Sequence, residues 1–248
     1  MFDMSTPQPP TAFPPPPRTR PGRKPAQRST PRRRSLSRDA IIDAALAIVD
    51  AEGIDAVTMR RVGEALGTGG ASLYAHITDK DELLDACFDR VLGRIELVDR
   101  IDARRWQAQL KDMIRSWRKE LLKHRDLARV SMGRVPVGPN ALRGLENLLA
   151  ILRAGKLSDH VVVYAVDQIA AFVMASAYEA SLWERNRTLA DQEWEQQMAD
   201  FLTQLPADEF PSIRALAGPL LGSGDDGDDR FEFGLDVIVR GIAAQGRR

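Results

Sequence analysis

Apolar residues along this chain recur at intervals of three and four, and no stretch of any length alternates in the two-residue rhythm of a strand. The pattern predicts an all-α protein. Ile42, Ala45, Leu46 and Val49 form one stripe, widened by Ile41 and Ile48, with Ser37 placed to cap its helix and Gly53 to stop it. A short helix follows with Met59, Val62 and Leu66 on one face, capped by Thr58 and ended at Gly67. After a tight turn, Thr68 is placed to cap a second short helix carrying Ser72, Leu73 and Tyr74. Asp79 then caps a longer helix with Glu82 in capping-box register, and Leu83, Leu84, Cys87, Phe88, Val91, Leu92 and Ile95 give its apolar face.

Farther on, Trp106, Leu110, Met113, Ile114, Trp117 and Leu121 repeat at helical spacing, and residues 127–132 read as a short helix. Leu142, Leu145, Leu148, Leu149 and Leu152 mark a helix opened at Pro139 or Asn140 and closed at Gly155. Residues 159–184, behind Ser158, are apolar nearly all round, as expected of a helix buried on more than one side. A more polar helix spans 189–203, a short one lies between Pro211 and Pro219, and Phe231, Leu235, Ile238, Val239 and Ile242 line the last.

Two short helices joined by a glycine-bearing turn form the helix-turn-helix pattern, whose second helix lies in the DNA major groove. Here the sequence resembles the DNA-binding domain of the tetracycline-repressor (TetR) family. The resemblance rests on Thr58, Arg60, Ala65-Leu66-Gly67, Ala71, Leu73-Tyr74, His76 and Lys80 followed by Glu82-Leu83-Leu84, and on their joint spacing. The run from Phe231 to Asp236 is similar to the closing helix of many such regulators, so the likeness covers most of the chain after Leu36. It implies a helix-turn-helix DNA-binding domain at 36–82 and a helical regulatory and dimerisation domain at 83–248, and composition sets before them a disordered Pro/Arg-rich basic arm at 1–35.

By position, the resemblance assigns Thr58, Tyr74, His76 and Lys80 to phosphates and Arg60 to phosphate or a base. Gly70, Ala71 and Ser72 fall where the family reads bases, flanked by Thr68 and Gly69. Ser72 can bond several bases and Ala71 can meet a thymine methyl. Gly69 and Gly70 bring no side chain, so either Arg60 and the arm add readout or the glycines permit a closer backbone approach. The plainer alternative makes Tyr74 a packed aromatic and His76 a surface histidine. The family also implies a homodimer on a palindromic double-stranded DNA operator, joined through its late helices, with Phe172, Val173, Leu235, Ile238 and Ile242 as candidates. A small-molecule effector is implied as well. Met113, Trp117, Met132, Tyr164, Phe172 and Tyr178 are candidates to line its pocket, ordinary core packing being the alternative for each.

Composition changes this picture mainly at the N-terminus. The chain has 248 residues and zero formal net charge. Residues 1–38 carry nine Arg/Lys against Asp3 alone, a net +8 balanced by −8 in the remainder. This proline- and arginine-rich arm is expected to be disordered in the free protein. It reads either as a phosphate-attracted tail or as a solvated one. Gly22-Arg23-Lys24-Pro25 faintly resembles an AT-hook, from which the inserted Lys24 departs. Cys87 is the only cysteine, which excludes an internal disulfide and a cysteine-based zinc site.

His124 and His160 stand alone, as surface or cap residues, and the acidic loop at 222–229 lacks EF-hand spacing, so neither a metal nor a cofactor is expected. No apolar run approaching a membrane span and no signal-peptide core were expected, which reads as a cytoplasmic chain. No nucleophile–base pair or phosphate loop points to an enzyme. An architectural DNA binder driven by the arm is the alternative to a regulator.

Overall fold

The computed structural model describes residues 36–132, 136–186, 189–220 and 228–246. Every regular element among them is helical. The α-helices are α1 (Arg38–Glu52), α2 (Met59–Ala65), α3 (Lys80–Leu92), α4 (Trp106–Leu122), α5 (Pro139–Ala154), α6 (Asp159–Asn186), α7 (Leu189–Gln204), α8 (Pro211–Ala215), α9 (Ala217–Leu220) and α10 (Asp228–Gln245). Three 3-10 turns lie at Ile54–Ala56, Gly70–Ala75 and Leu127–Ser131.

The first helices start where their polar side chains can replace missing backbone partners. Ser37 Oγ accepts from the Ala40 N–H at 3.2 Å, Thr58 Oγ1 from Arg61 at 3.2 Å and an Asp79 carboxylate oxygen from Glu82 at 2.8 Å. Such caps are each worth about 1 kcal/mol. Pro139 opens α5 as its first residue, where no N–H is needed.

The head is a small core of α1, α2 and the start of α3. Ile41, Ala45, Val49, Val62, Leu73, Ile77 and Leu83 are all essentially buried there. Cys87 joins them, its Sγ–H directed at the Ile42 carbonyl at 3.7 Å. Burial pushes its thiol up to about 12, so it packs as a small apolar group. α3 does not stop at the head. Phe88, Val91 and Leu92 on its second half are buried, and the helix packs against α5 and the Leu127–Ser131 turn as well as against α1. Residues from Leu36 onward form one compact unit, and the boundary expected after residue 82 falls inside the first turn of this shared helix.

A polar seam joins the end of α1 to the segment behind α4. The Asp126 carboxylate, 2% exposed, accepts the Ile54 N–H at 2.9 Å. Arg125 donates to the Ala51 carbonyl at 2.7 Å, and Arg129 pairs with Asp55 at 3.1 Å. His124 is neither a surface nor a cap residue. It is buried, with Nδ1 2.9 Å from an Asp50 carboxylate oxygen and Nε2 3.0 Å from the Arg94 guanidinium.

α6 is the central helix of the body and packs on α4, α5, α10 and the Leu127–Ser131 turn. Over its first 24 residues it is long and apolar enough to cross a membrane, with a mean hydropathy of 1.6 over its most apolar 18, contrary to the expectation that no segment approaches a span. Its placement explains the composition. One side, with Val162, Ile169, Val173 and Ala177, is buried in the body, while Val163 and Tyr164 face outward. α10 divides in the same way, with Phe231, Leu235, Val239 and Ile242 inward and Phe233 and Val237 outward. α10 is pinned to α4 by Lys111–Asp236, by Arg115–Glu232 at 2.7 Å and by Arg118–Asp228 at 2.6 Å. The Arg118 guanidinium also lies 4.4 Å over the Phe231 ring.

Candidate nucleic-acid interface

The surface of interest is built by α2, the turn after it and the 3-10 segment Gly70–Ala75. α2 stops because Gly67 adopts φ 67°, a left-handed conformation that costs glycine little. The chain then folds back in a Schellman arrangement. The Thr68 N–H donates to the Gly63 carbonyl at 2.8 Å and the Gly67 N–H to the Glu64 carbonyl at 3.0 Å. Gly63 and Gly70 face each other across this turn. A Cβ on Gly63 would lie 2.8 Å from the Gly70 nitrogen, and one on Gly70 would lie 3.1 Å from the Met59 carbonyl oxygen. The two backbones approach this closely only because neither residue has a side chain.

This contact settles where the recognition element points. With three residues per turn, Gly70 and Leu73 share one side. Gly70 rests on α2, and Leu73, fully buried, anchors the segment in the head core. Ala71 and Tyr74 share a second side and Ser72 and Ala75 a third, and all four are exposed. Tyr74 is 56% exposed, so it is not the packed aromatic of the plainer reading.

Gly70 turns the side on which a Cβ would stand toward α2. One expectation needs correction. Thr68 does not cap the segment; Gly69 stands at the cap position, and the Thr68 hydroxyl donates instead to Ser72 Oγ at 3.1 Å. The element is also a 3-10 turn and not an α-helix, since the tight pitch lets Gly70 and Leu73 reach inward together.

The remaining assigned residues surround this patch. Thr58 is exposed and keeps its hydroxyl oxygen on the Arg61 N–H, so the start of α2 faces solvent. Arg60 is exposed and paired with Glu64 one turn on. Gly69 is exposed, with open space where a Cβ would stand. His76 and Lys80 are half-buried at the far rim. Beneath them, Glu82 accepts from the Thr78 N–H at 2.6 Å, the Thr78 hydroxyl at 2.7 Å and Arg38 at 2.6 Å. These donors hold its carboxyl down to about 2. The capping-box glutamate thus reaches back one residue beyond Asp79 and fixes the turn between Tyr74 and α3. The arrangement presents small side chains, hydroxyls and a phenol on a rigid outward surface, which suits hydrogen bonding to phosphates and base edges.

The residues assigned to an effector pocket do not all come together. Met113 is buried on α4, and Trp117 and Tyr178 are half-buried. Phe172 stacks on Phe231 with ring centroids 5.2 Å apart. Tyr164 lies on the outer face of α6, edge-on to His160 at 4.3 Å, and Met132 is exposed. Of the residues assigned to a dimer contact, Val173, Leu235 and Ile242 lie in the protomer's own core, and Phe172 and Ile238 are half-buried against it. The periodicity marks the stripe that the fold uses internally, and the outward side of the same helices carries Tyr164, Phe233 and Val237. The seam around His124 and Asp126 was missed. Its only trace in the sequence is a run of four charged or titratable residues, 123–126, between apolar residues. The loop at 222–227 and the arm lie outside the described residues, which contain no cluster of metal-ligating side chains.

Comparison with known proteins agrees with this geometry. Residues 41–87 match the family description Bacterial regulatory proteins, tetR family, and residues 102–246 match Tetracyclin repressor-like, C-terminal domain. The HTH-type transcriptional repressor DrrR1 of Streptomyces coeruleorubidus is 33% identical over 226 residues, covering 89% of this chain and 81% of that protein. The Escherichia coli tetracycline repressor protein class D is 29% identical over 211 residues, covering 85% and 90%. The crystal structure of apo ActR from Streptomyces coelicolor superposes with a TM-score of 0.76 at 44% identity, covering 86% of this chain and 99% of that one. ActR in complex with actinorhodin gives a TM-score of 0.78 at 43% identity, covering 85% and 97%. With the helix-turn-helix surface and the helical body both matched, the chain belongs to the TetR family, whose members are DNA-binding transcriptional regulators and not enzymes.

Proposed function

We propose that the chain acts in the cytoplasm as a homodimeric repressor, holding a palindromic operator and leaving it when a small molecule binds the helical body. The observation that carries the dimer is the pair of outward faces on α6 and α10. Tyr164 and Val163 are each 57% exposed, Phe233 is 72% and Val237 is 54%. Large apolar side chains this exposed on two adjacent long helices suit a second copy of the same surface. Two heads related by a two-fold axis would read two inverted half-sites. Within each head, Ala71 and Ser72 are the base-reading candidates, while Thr58, Tyr74, His76 and Lys80 hold phosphates.

The effector reading is supported by ActR, which forms complexes with actinorhodin and with (S)-DNPA. In the body of this chain, the Trp117 indole N–H and one Glu120 carboxylate oxygen are buried without a hydrogen-bond partner among the described residues. Buried polar atoms are normally satisfied, so these two are natural anchors for a ligand's polar groups on α4. Release requires that ligand to prefer the conformation that does not bind DNA.

Selection of bound fragments from random duplexes tests the proposal. It is expected to return an inverted repeat, with the complex sedimenting as two protomers on one duplex and dissociating on addition of actinorhodin. A single direct half-site with one protomer bound would remove the dimer. An unaffected complex would exclude actinorhodin as the effector.

A further inference from the structure

Within Gly70–Ala75, hydrogen bonding to a base edge falls on one hydroxyl. Gly70 rests on α2 and Leu73 is buried, while Ala71 and Ala75 are exposed but carry no polar side-chain atom. Tyr74 is assigned to phosphate. Ser72 is the remaining polar side chain of the segment, and it is exposed. A serine standing alone discriminates bases poorly, because its hydroxyl turns among staggered rotamers and can either donate or accept.

Ser72 does not stand alone. The Thr68 hydroxyl donates to its Oγ at 3.1 Å. Thr68 is itself held in place: it is half-buried, and its N–H is bound to the Gly63 carbonyl at 2.8 Å. Its β-branched side chain is stiff about χ1. The Ser72 N–H is bound to the Gly69 carbonyl at 3.0 Å, so the backbone beneath the hydroxyl is fixed as well. The bond from Thr68 has two effects. It selects one Ser72 rotamer before any DNA arrives. It also fills one acceptor position of Oγ and polarises the group, which leaves a strengthened O–H whose proton points away from Thr68. In the major groove, guanine N7 and O6, adenine N7 and thymine O4 can accept such a proton, whereas the cytosine amino group only donates.

We propose that Thr68 is a positioning residue for sequence specificity: it touches no base itself, but it holds the Ser72 hydroxyl as a donor aimed at an acceptor edge in the major groove. The inference rests on the reading of the head as a DNA-binding surface and assigns the donor role within it. Specificity at one base pair of each half-site is then set by a pair of hydroxyls, only one of which meets the DNA.

The test compares the full-length chain with Thr68→Val, Thr68→Ser, Ser72→Ala and the double variant Thr68→Val/Ser72→Ala. Each is titrated at about 150 mM salt on the operator selected by the unmodified chain, on that operator with each base exchanged in turn, and on a scrambled duplex. The position read by Ser72 is the one whose preference Ser72→Ala abolishes. There the unmodified chain should favour an acceptor base over cytosine on the contacted strand by about fivefold. Thr68→Val keeps the side-chain shape without the hydroxyl, and it should cut that preference to about twofold while leaving binding to the scrambled duplex unchanged. Thr68→Ser should retain the preference, and Thr68→Val should add nothing in the Ser72→Ala background. The proposal would be overturned by a full preference in Thr68→Val, by equal weakening on every duplex, or by an undiminished effect of Thr68→Val once Ser72 is alanine. Selection of cytosine at that position would overturn the donor role. If the unmodified chain preferred no operator, the reading of the head would fall and this inference with it. A normal operator preference that Ser72→Ala leaves intact at every position would overturn this inference alone.

Discussion

The protein leaves two kinds of surface open, and they differ in nearly every physical respect. The recognition surface presents Ala71, Ser72, Tyr74 and Thr58, small or hydroxyl-bearing groups on a backbone locked by a glycine–glycine contact. The outward faces of α6 and α10 present Val163, Tyr164, Phe233 and Val237 on long regular helices. The first makes no sense as an apolar interface and the second offers little to a phosphate. A head built for an anion must hold a few donors in fixed places, which favours tight turns. A face built for a second copy needs area, which favours long helices.

Substitutions on either side should break that contrast in different ways. The largest effect is expected from Val237→Asp. Two-fold symmetry would place a desolvated carboxylate in both halves of a dimer contact, and dimer dissociation should rise at least about 100-fold with operator affinity falling alongside. Because Val237 is exposed in the protomer, helical content should be unchanged, and sedimentation at several concentrations measures the shift. Next comes Gly63→Ala. Its methyl would meet the Gly70 backbone at 2.8 Å, an overpacking cost of about 1–3 kcal/mol. Operator binding should fall about tenfold while the dimer constant stays put, as a mobility-shift titration would read.

A smaller change is expected at Glu82. Its carboxyl is held down to about 2 by Thr78 and Arg38, below the unfolded value of 4.5. The stabilisation is therefore complete above pH 4.5 and is lost as the pH falls toward 2. Glu82→Gln should cost about 1 kcal/mol in denaturant unfolding at pH 7, allowing for partial solvent exposure, and progressively less in acid. An equal cost at pH 7 and pH 2.5 would mean that the charge is irrelevant. The smallest effects belong to single phosphate contacts. Tyr74→Phe should weaken binding about fivefold on operator and scrambled duplex alike. Lys80→Ala should flatten the salt slope by about one unit per protomer.

Much of this arrangement was legible in the sequence because it rests on local rules. Ser37, Thr58 and Asp79 cap helices where their side chains can reach a backbone N–H two or three residues on, and Gly67 ends α2 where a left-handed residue is required. Those are short-range constraints that spacing records. Which face of α10 turns outward was not legible. Leu235 and Val237 are both apolar and two residues apart on α10, and only the position of α4 and α6 decides that one is buried and the other exposed. The contact of Gly70 with α2 failed to show for the same reason. It depends on residues seven and eleven positions earlier, Gly63 and Met59, folded onto it. The seam at Asp126 joins groups 72 residues apart, which no periodicity reports.

That seam has a mechanical consequence. The Asp126 carboxylate is fixed at the entrance of the Leu127–Ser131 turn and grips the backbone just past α1, while α3 runs unbroken from the head into the body. The head is thereby tied to the body at two separated points. A displacement of the turn relative to α3 would be passed through these ties toward the reading surface, as a crank turns about its axle. Whatever molecule acts on the body therefore has no need to touch the recognition residues to change the direction in which they point.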